Sequence, residues 1–202
     1  GKAAMKIGEV IMLATNLQPF LMGIVVSVLV GAALTLPISS AAICAAFGLT
    51  GLAGGAAVAG CCAQMIGFAV MSFKENGWGG LVSQGIGTSM LQMGNIIKNP
   101  RIWIAPIVTS AITGPVATCL FKLQMNGTAV SSGMGTCGFV GQIGVYSGWV
   151  NDVAAGTKSA ITMMDWAGLI LISFVLPAVI CPFINWLLKK AGWVKDGDMK
   201  LQ

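Results

Sequence analysis

Apolar residues run through this chain in long blocks that charge interrupts at few places. Val10–Phe73 is 64 residues without a charged side chain, and the later uncharged blocks are Asn76–Ile97, Ile102–Phe121, Leu123–Asn151 and Trp166–Leu188. A bilayer core is crossed by about 20 consecutive apolar residues in helical form. Spans are therefore expected at 102–122 and 166–188. The first block is longer than two simple spans and contains Pro19 and Pro37. Proline suits a first helical turn, where its missing N–H has no partner to lose, so one span is placed at 20–36 and another at 52–73. The interval between them reads as a short buried or partly inserted segment.

Two blocks do not read as full spans. In 77–97 the apolar run is broken by Gln84, Thr88, Ser89, Gln92 and Asn95, and in 126–149 by Asn126, Thr128, Ser131, Ser132, Thr136 and Gln142 among seven glycines. Irregular backbone at membrane depth persists only where it is buried in protein or lines a cavity. Both blocks are read as re-entrant hairpins. At the N-terminus, Ile7, Val10, Ile11, Ala14 and Leu17 recur at helical spacing with Lys2, Lys6 and Glu9 elsewhere on the turn. That pattern predicts a helix lying in the membrane interface. The fold class is then all-α: four spans, two re-entrant hairpins and an N-terminal interfacial helix in a single membrane domain, 1–202.

Composition agrees. Only 8% of residues are charged and 28 are glycine, against roughly 25% charged in an ordinary soluble domain, and the mean hydropathy is +0.87. Such a chain cannot cover a globular surface with water-compatible side chains, nor is it polar enough for disorder.

The charges then orient the spans. With the N-terminus in the cytoplasm, Lys2, Lys6, Lys74, Lys98, Arg101, Lys189, Lys190, Lys195 and Lys200 fall inside, and only Lys122 and Lys158 outside, the bias of the positive-inside rule. Both termini of the chain are expected in the cytoplasm. The six tryptophans, Trp78, Trp103, Trp149, Trp166, Trp186 and Trp193, all sit near predicted segment ends, where an amphipathic ring suits the headgroup level.

Several chemistries are excluded. There is no histidine, so the commonest general base is missing and zinc or haem has almost no ligands to use. No Walker loop is present, the six cysteines form no C-x-x-C pair and read as small buried hydrophobes, and the net charge of +5 follows from topology, not from nucleic-acid binding. No catalytic residue, metal or cofactor is expected.

Binding chemistry is confined to the hairpins. Glycine lets backbones approach closely, and a half-helix N-terminus presents unpaired N–H donors. Gln84, Thr88, Gln92, Asn95, Asn126, Thr136 and Gln142 add donors and acceptors suited to a neutral, hydroxyl-rich solute. Gln64, the one strongly polar residue inside the second span, is either an interhelical hydrogen-bond partner or a further ligand contact. Broken helices that meet near the membrane midplane are a recurrent plan for solute sites in transporters. Gly51, Gly54, Gly55 and Gly60 are expected to serve close helix packing, and Lys74-Glu75-Asn76-Gly77 reads as a charged turn at the membrane surface.

A specific resemblance is carried by Gln18-Pro19-Phe20-Leu21-Met22-Gly23, Pro37-Ile38-Ser39-Ser40-Ala41-Ala42, Gly60-Cys61-Cys62-Ala63-Gln64-Met65, Lys74-Glu75-Asn76-Gly77, Gln84-Gly85-Ile86-Gly87-Thr88-Ser89, Asn95-Ile96-Ile97-Lys98-Asn99-Pro100, Gly133-Met134-Gly135-Thr136 and Gly197-Asp198-Met199-Lys200. In these blocks the chain resembles phosphotransferase-system EIIC-like membrane proteins of the PfoR type, a branch named for a regulator of a clostridial toxin. The resemblance implies the C-terminal part of a longer EIIC-like chain in the bacterial inner membrane. It implies a sugar-like solute, soluble phosphocarrier subunits as partners and a homodimer. Sugar-transporting EIIC proteins place a glutamate in a hairpin beside the sugar; here Gly135-Thr136-Cys137 and Gly87-Thr88-Ser89 carry no acid. The functions to weigh are therefore a permease component and a membrane sensor or regulator that keeps the scaffold without transport.

Overall fold

The computed structural model describes residues 2–201, and these are helical without a strand element. The helices are α1 (Lys2–Leu17), α2 (Pro19–Thr35), α3 (Ser40–Phe47), α4 (Gly51–Met71), α5 (Phe73–Val82), α6 (Met93–Lys98), α7 (Ile104–Pro115), α8 (Ala129–Ser132), α9 (Val140–Ala154), α10 (Met163–Ile170) and α11 (Leu176–Lys190). Among the described residues, three continuous helices are long and apolar enough to cross a membrane: Gly51–Met71, Pro100–Leu120 and Met163–Lys190. The last two are α7 and α10–α11 extended through π-helical turns at Val116–Leu120 and Leu171–Val175. The fourth expected span, α2, is helical over 17 residues.

Helix α4 is the centre of the molecule. It is buried along nearly its whole length and packs against α2, α7 and α11. Small residues make this possible. A Cβ at Gly60 would collide with the carbonyl of Ser27 in α2, one at Gly55 with the carbonyl of Leu123, and one at Gly114 of α7 with the carbonyl of Gly23. Such contacts let helix axes approach where bilayer lipid offers no hydrophobic drive for association. Gly51 and Met125 exchange both backbone hydrogen bonds at 3.0 Å, which pins the extended segment after residue 122 to the start of α4.

Most polar side chains inside this bundle are paired, as burial requires, although Asn185 Oδ1 of α11 is buried without a partner. The Gln64 carbonyl oxygen accepts from the Thr35 hydroxyl at 3.0 Å and the Trp103 indole at 2.8 Å, while its amide donates to Ser110 at 3.4 Å. Three helices are thereby joined through one side chain. Each π-helical turn also contains a buried polar residue: Gln84, Thr118 or Ser173. Widened turns of this kind often mark functional positions.

The structure sharpens some local expectations and corrects others. The segment after Pro37, expected to be short and buried or partly inserted, is a short helix, α3, with Ser40 and Cys44 buried and a cap at the Ser39 hydroxyl, which accepts from the Ala42 N–H. Residues 74–76 form a helical turn at the start of α5, with Lys74 exposed, and the backbone leaves helical geometry at Gly77 (φ 60°, ψ −156°), which kinks the element there. Trp149 is not an interfacial anchor, since it is 2% exposed within the core beside Val58, Cys62 and Ile172. Cys44, Cys61, Cys62 and Cys181 are buried, but Cys119 is exposed and Cys137 half-buried. Helix α1 turns Gly8 and Thr15 inward and leaves Ile7, Val10 and Leu17 exposed; Gly1, at the start of that expected helix, lies outside the described residues.

Candidate functional site

The first hairpin is a helix broken by its own side-chain chemistry. Helix α5 runs into a π-helical turn at Ser83–Gly87 and stops at Thr88, whose backbone is extended (φ −159°, ψ 143°). The Thr88 hydroxyl accepts from the Met90 N–H at 3.1 Å and so restarts the chain as the turn Ser89–Gln92 and then α6. Capping of this kind satisfies an N–H that the new helix leaves free.

Behind the break, three amides form a chain. Gln92 Nε2 donates to Gln84 Oε1 at 2.8 Å, and Asn95 Nδ2 donates to Gln92 Oε1 at 2.8 Å. Gln84 Nε2 donates in turn to the Ser72 hydroxyl and the Gly80 carbonyl, both at 3.0 Å. The outer groups of the chain hold the C-terminal segment: Gln92 Nε2 donates to the Met199 carbonyl at 2.9 Å and Asn95 Nδ2 to the Lys200 carbonyl at 3.1 Å. Asn76 brackets the same peptide, donating to the Met199 carbonyl at 2.8 Å and accepting from the Leu201 N–H at 2.7 Å. Glu75 Oε2 accepts from the Met199 N–H at 2.8 Å. Just outside this clamp, Lys189 donates to Asp196 at 2.6 Å and holds that carboxyl below the usual range. Asn95 also borders an open cleft of about 500 Å³ with Ser83, Lys98 and Leu201.

The second hairpin returns along α9. A Cβ at Gly148 would sit 2.8 Å from the backbone nitrogens of Asn126 and Gly127, so the two arms are in backbone contact. Its tip holds Thr136, fully buried, whose hydroxyl donates to the Gly85 carbonyl and also lies 3.6 Å from the Met65 sulfur. Gly135 reaches this position with φ 54°, in backbone contact with Cys61 of α4. Gln142, one turn into α9, donates to Ser173 at 3.0 Å and to the Cys62 sulfur at 3.3 Å, while its Oε1 is buried with no partner.

The two tips therefore touch each other, and a cavity of about 390 Å³ lies beside their contact, lined among others by Pro37, Ser39, Ser40, Gly87, Thr88, Met134 and Cys137. Ser40 is fixed there by donating to the Gly133 carbonyl at 2.6 Å. Beneath, the Thr35 and Ser89 hydroxyls share a hydrogen bond at 2.8 Å that ties the cavity edge to Gln64. The wall is mostly apolar with a few hydroxyls and backbone groups and no carboxylate or ammonium, a lining suited to a neutral solute.

Of the eight residues singled out in the sequence, Thr88 lines this cavity and Thr136 joins the two tips beside it. Gln142 lies behind the second tip, and Gln64 lies in α4 below. Gln84, Gln92 and Asn95 cluster on the tail side, and Asn126 sits at the far end of the second hairpin, donating to Asp152 at 2.7 Å. Sequence reasoning missed Ser39, Ser40, Cys137 and the tail-holding Glu75 and Asn76. The motif Pro37-Ile38-Ser39-Ser40 was the available signal for the first two. Among the described residues, no three His, Cys, Asp or Glu side chains are grouped as metal ligands.

No curated protein and no solved structure matches the chain. A family model described as "Phosphotransferase system, EIIC" matches residues 1–201. Together with apolar helices of spanning length, that match makes this a membrane protein belonging to the phosphotransferase system EIIC family.

Proposed function

We propose that the chain is the permease component of a phosphotransferase-type system, binding a small, neutral, sugar-like solute in the cavity beside the hairpin tips and moving it across the bilayer. The observation that carries this reading is the Thr136–Gly85 contact, which couples two broken helices next to a cavity with uncharged, hydroxyl-bearing walls. Thr88 and Ser39 would meet the solute directly, and Gln142 Oε1 offers an unused acceptor behind the second tip. In this reading α2 spans the membrane with the three longer helices, and 77–97 and 126–149 enter as re-entrant hairpins from opposite faces. Both termini of the chain face the cytoplasm of a bacterium, where soluble phosphocarrier subunits act as partners, and the protein works as a homodimer. Uptake of labelled hexoses and hexitols into vesicles holding the protein tests the proposal; no uptake across the panel by intact protein would sink the transport claim.

A second reading, a sensor or regulator of the PfoR type, is favoured by one observation. The cavity wall has no acid, and Gln92 and Asn95 of the first hairpin are engaged with the chain's own tail. A sugar that raises the thermal midpoint without being transported would support this reading over the first.

A further inference from the structure

The two lysines that interrupt the apolar middle of the sequence, Lys122 and Lys158, meet in one cavity. It has a volume of about 380 Å³ and opens where the helix ending at Leu120, the end of α9 and the first turn of α10 converge. Lys122, Gln124, Asn126, Trp149, Asp152 and Lys158 are in its wall.

Lys122 is held there against local preference. Its backbone is left-handed, with φ 47°. The Leu123 N–H reaches back to the Ala117 carbonyl at 2.8 Å, closing the helix as glycine-ended helices close. In that conformation a Cβ crowds the carbonyl that follows it. A chain with 28 glycines nevertheless keeps lysine at this position. Its ammonium has no ion pair or hydrogen bond among the described residues. Strain at a residue whose side chain has no structural partner points to a role for that side chain.

The other groups around it divide into committed and free. Asp165 is committed, paired with Lys158 at 2.9 Å and accepting from the Thr162 N–H at 2.8 Å. Asp152 accepts from Asn126 through Oδ2 only, which leaves Oδ1 free among the described residues. Trp149 is fixed edge-on against Trp166, with centroids 5.5 Å apart. The floor is rigid, because the segment at Met125 is pinned to Gly51. With two lysines and two aspartates in the wall the cavity is formally neutral. A divalent cation would face two ammoniums there, and a phosphate two carboxylates. A neutral solute with several hydroxyls uses every free group, accepting from Lys122, donating to Asp152 and doing both with Gln124, above a floor closed by the buried Trp149.

We infer that this cavity is a binding site for a neutral polyhydroxylated solute, separate from the hairpin junction. Val140 and Asp152 are about 18 Å apart along α9 at 1.5 Å per residue, so the two sites occupy opposite ends of that helix, and neither assignment depends on the other.

The test uses the full chain in lipid nanodiscs, titrated with glucose, mannitol and N-acetylglucosamine and followed by calorimetry and tryptophan fluorescence. At least one of these should bind saturably. Lys122→Gly suits the left-handed backbone, so its thermal midpoint should hold or rise while Kd increases tenfold or more. Asp152→Asn keeps an acceptor for Asn126 and should weaken binding to a similar degree. Saturable binding that survives both substitutions unchanged overturns the site, as does the absence of saturable binding to all three probes. Binding abolished by Thr88→Val and untouched by Lys122→Gly assigns the solute to the hairpins and overturns it too. A preference for inorganic phosphate or zwitterionic alanine over every polyol overturns the neutral-solute assignment.

Discussion

Gln92 and Met199 are 107 residues apart, yet the Gln92 amide donates to the Met199 carbonyl at 2.9 Å and both residues are fully buried. The first hairpin and the C-terminal segment thus form one structural unit. The Met199 side chain fills a cluster with Phe68, Ile96, Ile102 and Cys181, and the amides of Asn76, Gln92 and Asn95 satisfy its backbone and that of its neighbours.

Gln92→Ala should release this unit. It leaves Gln84 Oε1 without its donor and takes one of two partners from both the Asn95 amide and the Met199 carbonyl, and the buried acceptor left unpaired costs about 1–3 kcal/mol. Amide hydrogen exchange at Met199 and Leu201 should accelerate at least tenfold, with a lower thermal midpoint. Asn126→Ala, at an exposed pair with Asp152, should change neither.

Gly60→Val tests the close approach of α2 and α4. A Cβ there meets the Ser27 carbonyl, and neither backbone can move without separating the two helices that form the centre of the bundle. Little monodisperse protein should be recovered in size-exclusion chromatography. Gly79→Ala, where an added Cβ meets nothing within 4 Å, should be tolerated and should stabilise α5 by up to about 1 kcal/mol.

The positions of the two later long helices could be read from the chain because charges lie near their ends, and helix 51–71 because Lys74 follows it and Pro37 separates it from the span before. Helix 51–71 was expected at 52–73, helix 100–120 at 102–122 and helix 163–190 at 166–188. The burial of small residues along α4 followed from its glycines. The destinations of the polar side chains could not be read. A glutamine in an apolar run looks the same whether its partner is a solute, another helix or the chain's own end, and Gln84 and Gln92 belong to the last kind. The tail itself, with Lys195, Asp196, Asp198 and Lys200, has the composition of a solvated end, and only Met199 hinted at burial. Trp149 misled for a related reason. Position near a segment end predicts an interfacial ring, whereas the neighbours that bury it come from α4 and α10, far off in sequence.

Thr136→Val removes the one hydroxyl that joins the two hairpin tips while keeping the side chain's shape. The Gly85 carbonyl loses that donor, at a cost of about 1–2 kcal/mol, too little to unfold the protein. If the tips work as a pair, solute uptake in vesicles should fall at least tenfold with near-normal recovery of folded protein, and Thr136→Ser should restore most of it. Equal uptake by all three forms would show that the contact is only packing.

Gln142 separates a ligand-binding role from a purely structural one. Its amide nitrogen is used by Ser173 and Cys62, but Oε1 is buried without a partner, and an orphaned acceptor is a standing cost of about 1–3 kcal/mol. Gln142→Leu gives up the Ser173 hydrogen bond and at the same time removes that orphan. The two effects are of similar size and opposite sign, so the thermal midpoint should change little. Solute affinity need not follow. If Oε1 is kept as an acceptor for a solute hydroxyl, Kd measured by calorimetry should rise tenfold or more in Gln142→Leu while the fold stays intact. A variant that is more stable and binds equally well would make Gln142 a strained packing residue and remove it from the site.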